Sequence, residues 1–189
     1  MSRELSEMAL EELWELFPIF LVEPSEKWND YYNGIESELR ELLMDCGALR
    51  INHIGSTAIS GIWAKNIVDV LVEIPVSGDL RKAAEILKRS GFIIMSEDAG
   101  RISLSKGYTK DGFAEKVYHI HLRYAGDNDE LYFRDYLNEH PEVAKEYETL
   151  KLSLWKEYEH NRDAYTEAKT GFIRHWTQKA RKEYADRYS

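Results

Sequence analysis

The pattern of hydrophobic and polar positions divides the chain into a helical start, a strand-rich middle and a helical end. An apolar stripe predicts an amphipathic helix over residues 2–16, which Pro18 interrupts before a short strand or extended arm. A second helix follows Ser25, its candidate N-cap, and ends at Gly47. These first residues therefore predict a helical N-terminal extension, residues 1–18, ahead of the main body.

In the middle of the chain hydrophobic and polar residues alternate, as they do in strands. The longest aliphatic run there is typical of a strand buried on both faces. The predicted strands cover residues 48–54, 66–74, 92–98, 101–108 and 115–124, with one helix over 80–90. Three C-terminal helices are predicted within 127–189, over 128–138, 141–159 and 162–185. The sequence thus predicts an α+β fold, a mixed sheet of about five strands with flanking helices and a C-terminal helical segment.

Length and composition indicate one globular domain covering residues 1–189. Hydrophobic residues make up 43% of the chain and charged residues 31%, with no repeat or linker that would divide it. No apolar run reaches the length of a membrane span, and the acidic N-terminus lacks the parts of a secretion signal. Because Cys46 is the single cysteine, no internal disulfide can form, and we expect a cytoplasmic protein without a membrane partner. The sequence does not indicate an oligomeric state.

The formal net charge of −9 is unevenly distributed. Residues 1–48 hold twelve acidic and three basic residues, so residues 49–189 are neutral overall. Nonspecific binding to nucleic acid requires a basic surface, and this composition argues against it. A small anionic ligand requires only a local basic pocket, which the neutral remainder can still build. Charge alone therefore permits a small anionic partner, and the turn at Gly55 and Ser56 followed by Asp69 leads us to expect a nucleotide or another phosphate-bearing small molecule.

The segment HIGSTAISGIWAKNIVDVLVEI, residues 53–74, carries the strongest chemical signal. Gly55, Ser56 and Thr57 suit a turn that offers backbone N–H groups and hydroxyls to phosphate oxygens. Asp69 follows within an aliphatic strand, where a carboxylate is costly unless a cation or hydrogen-bond donor faces it. The two features together predict a phosphate and metal site. The alternative is a tight turn before a core strand whose aspartate pairs structurally.

Strand alternation places Asp69, Leu71 and Glu73 on one face of the same strand. Two-metal phosphoryl transfer normally uses closely spaced carboxylates, and the position nearest to Asp69 is the apolar Leu71. Asp69 and Glu73 are the metal-ligand candidates, for Mg²⁺ or Mn²⁺, with help from phosphates or other strands.

A later strand, VYHIHLRY, places His119, His121 and Arg123 on one face. Paired imidazoles can bind a transition metal, or can bind phosphate and act as a general base. The alternative is a set of polar side chains on a half-exposed sheet face. His53 can join the pair if its strand is a neighbour.

Three ordered motifs resemble the GrpB-like proteins over about residues 20–180. The first is the His-Ile-Gly-Ser-Thr segment, the second is YHIHLRYAGDNDELYFRDYLNEHPEVAKEYETLK, and the third is RDAYTEAKTGFI. GrpB-like proteins in turn resemble nucleotidyltransferases of the DNA polymerase beta type. The resemblance implies that Gly55 and Ser56 grip a triphosphate and that Asp69 binds Mg²⁺. By this resemblance, Leu71 occupies the position of the superfamily's second metal-binding carboxylate. His119 or His121 is expected on the strand that carries its third carboxylate.

The sequence leaves three hypotheses open. The first is a nucleotidyltransferase with Asp69 and His121 as catalytic residues. Its substrate-binding candidates are Gly55, Ser56, Thr57, Lys65, His119, Arg123 and Arg134. The second is a binding module for a nucleotide or other anion that has lost catalysis, as Leu71 suggests. The third is a metal-dependent hydrolase built on His53, His119 and His121, with Zn²⁺ or Mn²⁺.

Overall fold

The computed structural model describes residues 5–188, apart from the side chain of Ser6. The helices are α1 (Leu10–Leu16), α2 (Lys27–Leu42), α3 (Leu80–Arg89), α4 (Asp129–Glu139), α5 (Pro141–Tyr158) and α6 (Arg162–Tyr184). The strands are β1 (Leu21–Val22), β2 (Arg50–Ile54), β3 (Ala64–Lys65), β4 (Val68–Ile74), β5 (Ile93–Glu97), β6 (Arg101–Thr109) and β7 (Gly112–Tyr124). Short 3₁₀ turns cover Leu5–Glu7, Met44–Cys46 and Ser56–Ala58.

Five strands form a mixed sheet in the order β2-β4-β7-β6-β5. Strand β4 runs parallel to β7, and the other neighbours are antiparallel. The α+β class, the five-stranded mixed sheet and the C-terminal helical segment are therefore confirmed. Within residues 5–188 no helix has both the length and the apolar content that crossing a membrane requires.

The two faces of the sheet have different characters because the strands alternate. Val68, Val70 and Val72 of β4 point to one face, where they join the main core with side chains of α2 and α3. Ile120 and Leu122 of β7 lie in the same core. The opposite face carries the polar positions of β4, β6 and β7, so it can form the floor of a site.

The C-terminal helices cover part of this polar face. Helix α6 packs against α4 and α5, with a second core around Tyr132, Tyr136 and Tyr147. Leu131 of α4 packs on Leu71 of β4, which closes the sheet at that point. The uncovered part of the face lies nearer the start of β4, beside Asp69.

One local prediction needs correction. The helix predicted over 2–16 is divided into the 3₁₀ turn Leu5–Glu7 and helix α1, while residues 2–4 lie outside the described part of the chain. The short strand or extended arm predicted after Pro18 is present as strand β1, which pairs with β3 and has Leu21 opposite Lys65. The sequence gives no periodic signal for strand β3 because it is two residues long.

Candidate functional site

An open cleft of about 1290 Å³ lies over the polar face of the sheet. Its floor comes from β4, β6 and β7, and its walls come from the turn at residues 55–57, from α5 and α6, and from the N-terminal segment. Leu13 and Trp14 of α1 line one end with apolar surface, together with Ile94 of β5. The cleft therefore has a polar end, near Asp69, and an apolar end.

Asp69 lies at the centre of the polar end. Strand pairing sets it opposite His119 and sets Leu71 opposite His121. One carboxylate oxygen, Oδ1 of Asp69, is 3.2 Å from Nδ1 of His119 and 3.0 Å from Nε2 of His121. The aspartate predicted from the aliphatic strand therefore meets both predicted imidazoles.

The imidazoles also change the acidity of this carboxyl group. Burial raises the pKa of Asp69, but hydrogen bonds from His119 and His121 outweigh that effect and hold the pKa well below its usual range. For His119, burial lowers the imidazole pKa more than the hydrogen bond to Asp69 raises it. At neutral pH the structure thus favours an ionised Asp69 beside a neutral His119.

A second contact chain continues from His119 to helix α6. The hydroxyl of Tyr108 lies 2.8 Å from Nε2 of His119, and Arg162 donates to the same hydroxyl at 2.7 Å. With His119 neutral, its Nδ1–H donates to Asp69 and its Nε2 accepts from Tyr108. Tyr108 and Arg162 thereby fix the orientation of the imidazole.

The turn at Gly55 approaches the aspartate closely. Gly55 has φ +72° and ψ −173°, a conformation almost restricted to glycine. A Cβ at this position would lie 2.6 Å from Oδ2 of Asp69. The glycine is therefore required both by its backbone conformation and by the carboxylate beside it.

The hydroxyls of the turn have different surroundings. Ser56 lines the cleft and is hydrogen-bonded to Tyr147, whose pKa burial raises to about 12. Thr57 is buried, donates to the carbonyl of Ile67 at 3.2 Å and lies 2.9 Å from Nε2 of His53. Of the predicted phosphate contacts in the turn, Ser56 thus presents its hydroxyl to the cleft, whereas the Thr57 hydroxyl holds the turn in place.

Five cationic side chains line the cleft: Lys65, Lys110, Lys151, Arg162 and Lys169. Four of them lie over a tyrosine ring, which stabilises positive charge in a partly desolvated site. The distances to the ring centroids are 5.7 Å for Lys65 and 4.3 Å for Lys169 on Tyr165, 4.9 Å for Lys151 on Tyr147, and 5.5 Å for Arg162 on Tyr108.

Burial, with a smaller contribution from neighbouring positive charges, lowers the pKa values of Lys65, Lys151 and Lys169. Burial, followed by the charges of Arg162 and Lys169, lowers the pKa of Lys65 well below its usual value. Burial lowers the pKa of Lys151 to about 7 and that of Lys169 to about 8. An anion that entered the cleft would relieve the repulsion between these positive charges, so the cluster favours a ligand with several negative charges.

Glu73, a predicted metal ligand, lies outside this site. Its carboxylate is buried and accepts from Arg50 at 3.1 Å and from the backbone N–H of Gly126 and the side chain of Asn128, both at 3.0 Å. The only possible metal-binding group found among residues 5–188 is Asp69 with His119 and His121. The structure therefore does not support Glu73 as a ligand, because its oxygens are already bound within the protein.

Arg123 and Arg134, both predicted to bind substrate, are also outside the residues that line the cleft. Arg123 is buried beside Asp127 and Glu130, with both N···O distances at 3.8 Å. Arg134 donates to the carbonyl of His53 at 2.8 Å and to the hydroxyl of Tyr188 at 3.0 Å. Arg123 thus links the end of β7 to the start of α4, and Arg134 links α4 to β2 and to the segment after α6.

His53, the third histidine of the predicted metal-dependent site, points away from the imidazoles of His119 and His121. It stacks on Tyr32 at 5.0 Å between ring centroids and contacts Thr57. Burial lowers its pKa to about 4, so this imidazole is neutral at ordinary pH. A site built on all three histidines is not formed.

Known proteins resemble this chain in both sequence and fold. The family model described as GrpB protein matches residues 18–179. The chain belongs to the GrpB family. It is 36% identical over 161 residues to the Glutamate-rich protein GrpB of Alkalihalophilus pseudofirmus, an alignment that covers 82% of this chain and 91% of that one. The crystal structure of the conserved protein GrpB from Enterococcus faecalis matches with a TM-score of 0.74 and 30% identity, over 87% of this chain and 99% of that chain.

A more distant structure supports the fold. The Cid1 poly(U) polymerase, solved as a mutant bound to MgATP, matches with a TM-score of 0.50 and 17% identity. That match covers 79% of this chain and 46% of the polymerase chain, so this chain spans less than half of it. The expected nucleotidyltransferase-like fold of this GrpB family member is confirmed.

Proposed function

We propose that the cleft binds a nucleoside triphosphate and that the protein is of the nucleotidyltransferase type. The observation that carries this proposal is that Lys65, Arg162 and Lys169 meet in one cleft with Ser56 and Asp69. The ammonium of Lys151, in contrast, is buried and donates to the carbonyl of Trp63. A triphosphate is a compact group with several negative charges, so it complements a basic cluster and would raise the lysine pKa values that burial lowers. MgATP in the distantly similar Cid1 structure gives the nucleotide as the first candidate.

Hydroxyl groups in the cleft complement the cations. Ser56 lines the cleft at the glycine turn, and Ser105 lines it from β6. The Oγ of Ser105 is buried and has no hydrogen-bond partner among the described residues. Ser105 is 0% exposed, so Ser56 is the hydroxyl of this pair that a ligand in the cleft could contact directly.

The proposed reaction is transfer of a nucleotidyl group to an acceptor hydroxyl. The hydroxyl oxygen forms a bond to the α-phosphorus, the bond from that phosphorus to the pyrophosphate breaks, and the hydroxyl proton passes to water in the open cleft. Arg162 and Lys169 would neutralise the negative charge that develops on the leaving pyrophosphate. Ser56 would orient the phosphate chain.

The metal that this fold implies has an unusual donor set here. The two-carboxylate clamp does not fit, because Leu71 occupies the second position and is fully buried. Asp69 with His119 and His121 fits a single ion, since their ligand atoms all lie within 4.8 Å of one another. Bound there, a divalent ion would supply charge neutralisation at the phosphate oxygens.

A second candidate function is binding of the same nucleotide without turnover. Leu71 favours it, because the missing carboxylate would weaken a catalytic metal site more than it would weaken anion binding. Substrate capture by the cations and by Ser56 would remain. The two candidates differ in whether pyrophosphate is released.

Calorimetry with each common nucleoside triphosphate, in chelator and with Mn²⁺, tests the binding proposal. We expect binding that weakens about 10-fold or more in Lys169→Met, because a cation facing the phosphates is lost. Lys182→Met, on the exposed side of the same helix, is the matched control and should bind as the unmodified protein does. If no triphosphate binds, the proposed function is rejected in both forms.

Pyrophosphate release then separates the two candidates. Incubation of the protein with triphosphate, Mn²⁺ and a pool of hydroxyl-bearing metabolites should release pyrophosphate if it is an enzyme, and Asp69→Asn should abolish the release. Tight binding with no release from any combination supports the binding module.

A further inference from the structure

Three potential ligand atoms converge at the polar end of the cleft. Oδ1 of Asp69 lies 3.0 Å from Nε2 of His121 and 3.2 Å from Nδ1 of His119. All three side chains are half-buried, with 20%, 22% and 26% exposure for His119, His121 and Asp69. They are therefore shielded from bulk water and yet open to an incoming ion.

The backbone fixes this arrangement. Strands β4 and β7 are parallel neighbours, and their register places Asp69 directly opposite His119, with His121 two residues further on the same face. Both strands are interior to the sheet, so neither can shift without breaking two ladders. The three groups are thus held together before any ligand binds, which lowers the entropic cost of forming a metal site.

The spacing suits direct coordination. Two atoms that are each about 2.1 Å from an ion lie about 3 Å apart at right angles and about 3.4 Å apart at the tetrahedral angle that Zn²⁺ prefers. The distances from Asp69 to the two imidazoles, 3.0 and 3.2 Å, are close to these separations. In the structure the same contacts are hydrogen bonds, so on ion binding both imidazoles would release the N–H protons that face Asp69 and turn those nitrogen lone pairs towards the ion.

We propose that Asp69, His119 and His121 bind one divalent transition-metal ion, of the Zn²⁺ or Mn²⁺ class, in preference to Mg²⁺. Two of the three ligand atoms are imidazole nitrogens, which suit first-row transition metals. Mg²⁺ prefers oxygen ligands, and this site provides a single carboxylate. The metal preference thus differs from that expected of the carboxylate clamp in nucleotidyltransferases of the DNA polymerase beta type.

Tyr108 supports this proposal from outside the ligand set. Metal-binding histidines usually donate their second ring N–H to a nearby oxygen, which fixes the tautomer. When Nδ1 of His119 coordinates the ion, its proton resides on Nε2, and the Tyr108 hydroxyl 2.8 Å away accepts it. Tyr108 is therefore a positioning residue for the metal site.

The test uses tag-free protein that has been treated with a chelator and dialysed, with no nucleotide present. Calorimetric titrations with Zn²⁺, Mn²⁺ and Mg²⁺ should give one ion per chain, and Zn²⁺ and Mn²⁺ should each bind at least about 100-fold more tightly than Mg²⁺. Pulsed electron paramagnetic resonance of the Mn²⁺ complex should show coupling to directly bound ¹⁴N, a signature that needs no variant.

Variants locate the ion. Asp69→Asn and His121→Gln should each weaken Zn²⁺ binding about 100-fold, and His175→Gln, at an exposed position, should leave it unchanged. Tyr108→Phe should weaken it about 10-fold while keeping the ¹⁴N coupling, because the ligands themselves are intact. Thermal unfolding of each variant checks that it is folded.

Several outcomes would overturn the proposal: binding of Mg²⁺ as tight as that of Mn²⁺, absence of ¹⁴N coupling, or no ion bound at all. The last would mean that the triad is a hydrogen-bonded structural unit. Because these titrations contain no nucleotide, a bound ion without any triphosphate binding would reject the proposed function and leave the metal site standing. Triphosphate binding without a bound ion would reject the metal site and leave nucleotide binding standing.

Discussion

Asp69 and Glu73 stand on the same face of strand β4, yet their surroundings differ in nearly every respect. Asp69 is partly exposed to the cleft, and its contacts are imidazoles that can change protonation state or bind an ion. Glu73 is 1% exposed, and its contacts are a guanidinium, an amide and a backbone N–H. The contacts of Asp69 are typical of a catalytic or binding site, and those of Glu73 are typical of a buried structural carboxylate.

The difference comes from what covers each end of the strand. Leu71, between the two acids, packs under Leu131 of α4 and closes the sheet there. Beyond it, the carbonyl of Tyr188 accepts from Arg50 and Asn128, so the end of the chain seals the Glu73 side. A shared strand face therefore does not make a shared site.

Removing the carboxylate of Glu73 should have the largest effect. In Glu73→Ala the buried amide of Asn128 and the N–H of Gly126 lose their acceptor, and Arg50 loses its ion pair. We expect a loss of about 3 kcal/mol in the free energy of unfolding, measured by urea denaturation.

The matched control is Glu85→Ala, which breaks an exposed pair with Lys88 at 4.0 Å on helix α3. That change should cost less than about 1 kcal/mol. Metal and nucleotide binding by folded Glu73→Ala should match those of the unmodified protein. A Glu73 variant of unchanged stability, or one that loses metal, would remove the distinction between the two acids.

The sequence predicts most of the fold because periodicity is a local property. The alternation in VYHIHLRY and the aliphatic run around Asp69 place both side-chain sets on strand faces, and apart from the N-terminal helix the predicted strands and helices differ from the observed bounds by a few residues. The strand faces were predicted correctly for Glu73 and Arg123 as well. Periodicity does not show which part of that face the C-terminal helices cover, and Leu131 of α4 covers it at Leu71.

The cationic side of the site could not be predicted in the same way. Lys151, Arg162 and Lys169 lie on amphipathic helices, where lysine and arginine are usually solvated. The i, i+4 spacing of Tyr165 and Lys169 was a signal that they share a face, but it does not reveal what that face meets. Only the packing of α5 and α6 over the sheet brings these charges to Asp69.

Acid should lower the free energy of unfolding through His53 of strand β2. Burial lowers the pKa of this imidazole to about 4, against about 6.5 in the unfolded chain. The unfolded state therefore binds more protons between these values, so the His53 contribution is complete above pH 6.5 and is lost as the pH falls towards 4. The largest loss from this group is about 3 kcal/mol.

Urea denaturation at several pH values measures this effect. His53→Gln retains a donor towards Thr57 and should flatten the dependence between pH 6.5 and 4, with His175→Gln as the control that keeps it. An unchanged slope in His53→Gln would show that other groups cause the acid sensitivity.

Gly55→Ala should have a smaller effect on unfolding. The methyl group would meet Oδ2 of Asp69 and would force alanine into a conformation that is nearly restricted to glycine, at a cost of about 2 kcal/mol. Zn²⁺ binding should weaken too, because the carboxylate must move. Gly34→Ala, within α2 and with no heavy atom within 4 Å of the new Cβ, should instead stabilise the protein slightly.

Asp69→Asn should change the free energy of unfolding least, by about 1 kcal/mol or less, because the amide oxygen can accept the same imidazole N–H groups. Two opposing effects underlie this expectation: the variant no longer buries a charge, but the cations of the cleft lose a counter-charge. Urea denaturation gives the stability, and calorimetry with Zn²⁺ on the same sample gives the binding. A stability loss as large as that of Glu73→Ala would mean that Asp69 is also a structural acid, and the contrast along β4 would disappear.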